Sequence, residues 1–78
     1  AKEYAANGIR VNAVCPAFID TPMIANSKLH DMKAQPEGIP VGRTGHPDEV
    51  ASACCWLCSN LAAFTTGISL PIDGGVIA

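Results

Sequence analysis

Charge is scarce in this chain. Only 15% of its 78 residues are charged, five Lys and Arg against seven Asp and Glu, for a net charge of −2. No cluster of basic residues exists that could neutralise a row of phosphates. The aromatics, 5% of the chain, are not interleaved with basic side chains either. Together these absences exclude a generic polyanion or nucleic-acid binder. Disorder is excluded as well, because 49% of the residues are hydrophobic. The chain also lacks a basic segment followed by an apolar one, the mark of a secretory leader. It opens Ala1-Lys2-Glu3-Tyr4-Ala5-Ala6 with no initiator Met and no N-cap residue before what reads as a helix already under way. That points to the C-terminal part of something longer, or to a product processed to look like one. A chain of this length hides only about 60% of the surface it exposes when unfolded, enough for one small domain or for one piece of a larger one.

An unbroken apolar run is missing too. Residues Val50 to Ile72 carry no charge and are long enough to cross a bilayer. They are interrupted by Ser52, Ser59, Asn60, Thr65, Thr66, Gly67, Ser69 and Pro71, so they read as a buried helix followed by a buried strand, with no membrane partner.

Cysteine, by contrast, is plentiful, with four residues. Cys55-Trp56-Leu57-Cys58 has C-x-x-C spacing, but a redox pair needs its first thiolate at a helix N-terminus, and this one falls near a helix end. No second ligand pair accompanies it for zinc, and His30 and His46 have no partner at metal spacing. No metal site is expected, and both histidines read as solvated loop residues. Cys54 and Cys58 lie four apart on the apolar side of the helix. The expectation is reduced, core-filling thiols in a cytoplasmic protein.

Along the chain, Ala1 to Asn7 reads as the last turns of a helix closed by Gly8. Ile9 to Val14 follows as a short strand, with Ile9, Val11 and Ala13 on one face, Val14 on the other, and Pro16 ending it. Thr21-Pro22 starts a helix to about Lys33, and Gln35-Pro36-Glu37-Gly38 breaks it. From Phe18 to Gly45 the chain is a long excursion of the kind that forms lids or binding loops. Pro47 opens the best helix, with Asp48 and Glu49 in its first turn and Val50, Ala53, Cys54, Leu57 and Leu61 in one stripe. Trp56 lies off that stripe, as a partly exposed cover residue or an interface anchor. Ile68 to Ile72 is a strand in which Pro71 favours an edge, or a pairing that leaves its nitrogen free. Strand, helix, strand with a crossover means parallel strands in an α/β sheet. Ligands of such sheets gather beyond the carboxyl ends of the strands, here at Pro16 to Thr21.

Those residues carry a resemblance. Gly8-Ile9-Arg10-Val11-Asn12-Ala13-Val14-Cys15-Pro16, then Ile19-Asp20-Thr21-Pro22-Met23, resemble the sixth-strand region of classical short-chain dehydrogenases/reductases. Arg43-Thr44-Gly45-His46-Pro47-Asp48-Glu49-Val50-Ala51, Leu57-Cys58-Ser59, Thr66-Gly67 and Asp73-Gly74-Gly75 are similar to that family's C-terminal pattern, in order. The resemblance implies an α/β fold, the C-terminal part of a Rossmann-type doubly wound parallel sheet. It divides the chain into a nicotinamide-side loop (14–23), a substrate lid (23–45) and the last helix and strand (47–75).

By the same resemblance the function is alcohol–carbonyl interconversion by hydride transfer with NAD or NADP. Pro16, Ala17, Ile19 and Thr21 are then the cofactor-binding residues, the Ile19 backbone meeting the carboxamide and the Thr21 hydroxyl helping to hold the cofactor. A small alcohol or carbonyl substrate is implied, and so is a homo-oligomer formed through the 47–59 helix and the final strand. The family's glycine-rich loop and its Ser and Tyr-x-x-x-Lys set have no counterpart here; Tyr4 is followed four residues on by Gly8 where Lys would stand. The chain by itself is expected to be catalytically inactive. The alternative reading is a non-catalytic truncated product that serves as an oligomerisation or interaction module. Ala17 stands where the family usually has Gly: if that position needs a positive φ, Ala costs about 1 kcal/mol or more, and if not the change is nearly neutral.

Overall fold

The computed structural model describes residues 1–21 and 38–78. The expected 22–33 helix, its 35–38 breaker up to Glu37, and most of the expected lid lie outside the described residues.

Two strands and one helix form the frame. Strand β1 is Ala13–Pro16, helix α1 is Pro47–Cys58 and strand β2 is Ser69–Ile72. The strands pair in parallel, with Ala13 opposite Ser69 and Pro16 opposite Ile72, and α1 lies between them in sequence. This is the expected parallel α/β unit, because two parallel neighbours can be joined only by a crossover.

The first strand starts later and ends later than the sequence suggests. Residues 10–12 are tied to the turn before β2 mainly by side chains rather than by a regular ladder. The Val11 N–H donates to Thr66 Oγ1 (3.1 Å) and Gly67 N–H donates to the Val11 carbonyl (2.8 Å). The Asn12 amide works both ways, donating from Nδ2 to the Thr65 carbonyl (3.1 Å) and accepting at Oδ1 from Ile68 N–H (3.2 Å). Arg10 reaches the carbonyls of Thr65 and Ser59, each at 3.2 Å. Gly67 is left-handed (φ 80°), which turns the chain there and delays regular pairing until Ser69.

Pro16 belongs to β1 instead of ending it. Ala13 and Ala17 donate to the carbonyls of Ile68 and Ile72 (2.9 and 3.1 Å), so the alternating peptide groups of β1 turn the Pro16 nitrogen away from β2. The same alternation turns the Pro71 nitrogen away from β1. Both prolines therefore sit where a missing N–H breaks no bond of the pair.

Before β1, residues Ala5–Asn7 form a 3₁₀ turn rather than the end of an α-helix. Its bonds run from Asn7 N–H to the Tyr4 carbonyl (3.0 Å) and from Gly8 N–H to the Ala5 carbonyl (3.1 Å). Gly8 closes it in the left-handed region (φ 78°), as its place after the turn requires.

Helix α1 begins at Pro47 as expected, but burial departs from the expected stripe. Among the described residues only Ile39, Leu57 and Ala62 are buried hydrophobics. Val50 and Ala53 are half-buried, whereas Cys54 is exposed and Leu61 is 82% exposed. Leu61 has left the helix for a 3₁₀ turn (Asn60–Ala62) in which Ala62 points inward in its place. The strand faces depart likewise: Ile9 and Val11 are exposed, and Val14 is half-buried. The cysteines do not fill a core. All four are free and exposed, and Cys54 and Cys58 border an open groove between α1 and residues Arg10, Val11, Asn12 and Val14. The two strands are too narrow to cover that side of the helix. Among the described residues no helix is long and apolar enough to cross a membrane.

The Asn12 side chain makes two of the bonds that link the two strand entrances. Asn12→Ala is expected to lower stability by about 1–3 kcal/mol in urea denaturation. Ser52→Ala, which removes only an exposed hydroxyl bond to the Asp48 carbonyl, should change it by less than about 0.5 kcal/mol.

Candidate functional site

Beyond the carboxyl end of β1 the chain makes a turn fixed by one close backbone contact. Ile19 and Gly45 form an isolated parallel bridge. Gly45 N–H donates to the Phe18 carbonyl (2.9 Å), and Asp20 N–H donates to the Gly45 carbonyl (2.8 Å). Because peptide groups alternate, the Ile19 N–H and carbonyl point away from Gly45, and among the described residues nothing pairs with them. A Cβ on Gly45 would lie 2.7 Å from Ile19 Cδ1, the tip of a side chain that would have to turn aside, and 4.0 Å from the Phe18 carbonyl oxygen.

The turn carries backbone strain at an unexpected residue. Phe18 has φ 58°, the one positive φ outside glycine among the described residues. The left-handed region costs a bulky L residue about 1–2 kcal/mol, and such outliers gather where a backbone is held for a purpose. Ala17 has an ordinary φ, so the second of the two alternatives for this position holds and the methyl group is tolerated. Its N–H is already bound to the Ile72 carbonyl at the end of β2.

The four residues singled out in the sequence, Pro16, Ala17, Ile19 and Thr21, are brought together. With Phe18, Pro47 and Val50 they line one open, mainly apolar groove of about 470 Å³. On its other side the same turn lines a smaller cavity of about 90 Å³. Ile39, Ile72 and Gly74 contribute to that cavity, and so do Arg43 and Glu49. A Cβ on Gly74 would lie 2.6 Å from Ile39 Cγ2, which explains the first glycine of Asp73-Gly74-Gly75. Asp73 in turn accepts from Gly75 N–H (2.9 Å) and Ile77 N–H (3.3 Å), fixing the turn after β2.

Sequence reasoning missed the pair formed by Arg43 and Glu49. Two parallel bonds join the guanidinium to the carboxylate, at 2.7 and 2.9 Å. Glu49 Oε1 also accepts from the His46 backbone N–H (2.9 Å), the return half of a capping box, while the His46 imidazole makes no cap bond. Hydrogen bonds from Arg43, and then from His46, pull the Glu49 carboxyl down to about 2, and the Arg43 guanidinium is raised. A depressed acid stabilises the fold fully above its ordinary value of 4.5, and that contribution is lost as pH falls toward 2. The signal was legible in retrospect: an acid three residues after the N-cap, and an Arg just before it. His46 is exposed, and His30 lies outside the described residues. Among the described residues no group of three His, Cys, Asp or Glu side chains could hold a metal ion.

Comparison with known proteins decides what this frame is part of. The family model described as enoyl-(acyl carrier protein) reductase matches residues 1–77. The chain belongs to the short-chain dehydrogenase/reductase family.

It is 44% identical to a cis-4-hydroxycyclohexanecarboxylate dehydrogenase of Sinomonas cyclohexanicum, over 96% of this chain and 30% of that protein. Identity with a 3-oxoacyl-[acyl-carrier-protein] reductase of Aquifex aeolicus is 43%, over 97% of this chain and 31% of the relative. A crystal structure of a 3-oxoacyl-[acyl-carrier protein] reductase from Brucella melitensis superposes with a TM-score of 0.89 at 38% identity, covering all of this chain and 30% of that one. The chain thus spans about 30% of the length of the short-chain dehydrogenases/reductases it matches, and its parallel unit is part of their Rossmann-type fold.

Since Ala17 is unstrained, replacing it with the glycine more usual in short-chain dehydrogenases/reductases should not help. Ala17→Gly is expected to lower stability by about 0.4–1 kcal/mol in urea denaturation, through the freer unfolded chain. A gain in stability would mean that residue 17, and not Phe18, holds the strained conformation.

Proposed function

We propose that this chain is the C-terminal, nicotinamide-side part of an NAD(P)-dependent oxidoreductase that interconverts an alcohol and a carbonyl by hydride transfer. The observation that carries the reading is the Ile19 peptide group. Among the described residues nothing pairs with its N–H or carbonyl, which stand beyond the carboxyl end of a parallel strand, where ligands of such sheets bind, in a turn that with Thr21 lines an open apolar groove. An amide face of this kind suits a carboxamide, which donates and accepts one hydrogen bond each way. Pro16 and Ala17 shape the wall, Ile19 supplies the backbone contact, and Thr21 offers a hydroxyl to the cofactor. When bound, the nicotinamide supplies the hydride chemistry. What this chain does is orient its ring and shield one side of it from water.

In this reading 14–23 is the cofactor loop, 23–45 the substrate lid and 47–75 the closing helix and strand, and the acid/base groups lie on the rest of the enzyme. The enzyme is a cytoplasmic homo-oligomer joined through the 47–59 helix and the final strand, where Trp56 is 43% exposed. A second reading, a non-catalytic interaction module, draws on the exposure of Leu61 and Phe64 (82% and fully exposed), with few buried residues among those described.

One capture separates the two. An antibody to residues 70–78 is used to isolate the protein from its native source, and its mass and its turnover of NADH and NADPH with carbonyl substrates are measured. A mass roughly three times that of this chain, with turnover of either cofactor, is the expected result, since a whole domain of this fold class runs to a few hundred residues. A band at 8.1 kDa without turnover would reject the enzyme reading in favour of the module.

A further inference from the structure

Building on the cofactor reading above, we propose that Arg43 and Glu49 are positioning residues for the dinucleotide: their ion pair sets where the Phe18–Asp20 turn stands, and so where the Ile19 peptide group meets the nicotinamide. The argument is a continuous set of bonds. Arg43 Nη1 donates to the Thr44 carbonyl (3.1 Å), the residue before Gly45. Glu49 Oε1 accepts from the His46 N–H (2.9 Å), the residue after it. The fork between the two side chains, at 2.7 and 2.9 Å, therefore grips both neighbours of Gly45 at once. Gly45 itself spends its N–H on Phe18 and its carbonyl on Asp20, which leaves Ile19 facing outward between them. Both side chains also line the small cavity behind the turn, together with Ala17, Phe18 and Ile19.

The rival role is a surface ion pair that caps α1 and nothing more. Arg43 and Glu49 side chains are 59% and 44% exposed, and an exposed pair contributes little to stability. Its geometry argues for more than that. A two-pronged Arg–carboxylate contact fixes direction as well as distance, and a small misplacement of a positioning element costs far more in binding geometry than in folding.

The test uses Arg43→Gln, Glu49→Gln and the double variant in the protein purified at its native length. Gln at 49 keeps an amide oxygen for the His46 N–H and removes only the charge pair. Dissociation constants for NADH and NADPH are read by fluorescence titration, KM and kcat by turnover, and amide exchange at Gly45 and Asp20 by NMR. Each single variant is expected to weaken binding of the preferred dinucleotide about fivefold, with KM for it rising alike and kcat falling by less than about twofold. Exchange at Gly45 and Asp20 should quicken while the melting temperature holds. The double variant should be no worse than either single one, since both remove the same contact. Wild-type binding with unaltered variants overturns this assignment alone, as does a double variant whose loss is the product of the two singles. A wild type that binds neither dinucleotide overturns the cofactor reading and this assignment with it.

Discussion

Two backbones meet at Ile19 and Gly45, and the candidate site follows from that contact. The bridge takes up the Phe18 carbonyl and the Asp20 N–H. Phe18 beside it is left-handed, and the Ile19 N–H and carbonyl point away from Gly45. On the far side, the Arg43–Glu49 fork and the start of α1 hold the Gly45 strand in place. Among the described residues the site is thus built from backbone geometry braced by one ion pair.

The frame was legible because its signals are local. Pro47 with two acids in the first turn marks the start of α1, and Gly8 the close of the turn before it; the β-branched residues and the crossover order imply parallel strands. The four loop residues singled out by resemblance do share one groove. What was not legible depends on contacts far apart in sequence. Asn12 and Arg10 look like the polar face of a strand, yet they join residues more than 45 positions away at the entrance to β2. The strain lies at Phe18, beside the bridge from Ile19 to Gly45, 26 residues on. Periodicity alone could not foresee either.

The burial pattern has a similar cause. The apolar stripe on α1 is real, but a stripe is buried only where something covers it. Leu57 is buried at the bottom of an open groove that Cys54, Cys58, Val11 and Val14 also line. A two-stranded sheet with one helix is a marginal core by itself. The match to 30% of the length of its relatives gives the physical context: in their Rossmann-type fold such a unit is one part of a wider sheet.

The Ile19 peptide group is the point on which the structural account and the functional reading both bear. The direct measurement is a crystal structure of the protein with NADH or NADPH bound, read for the separation between the Ile19 backbone and the nicotinamide carboxamide. The account requires a hydrogen bond of about 2.7–3.2 Å there, with the Phe18 and Asp20 bonds to Gly45 intact. A dinucleotide bound elsewhere, or an Ile19 N–H bonded within the protein instead, would contradict it.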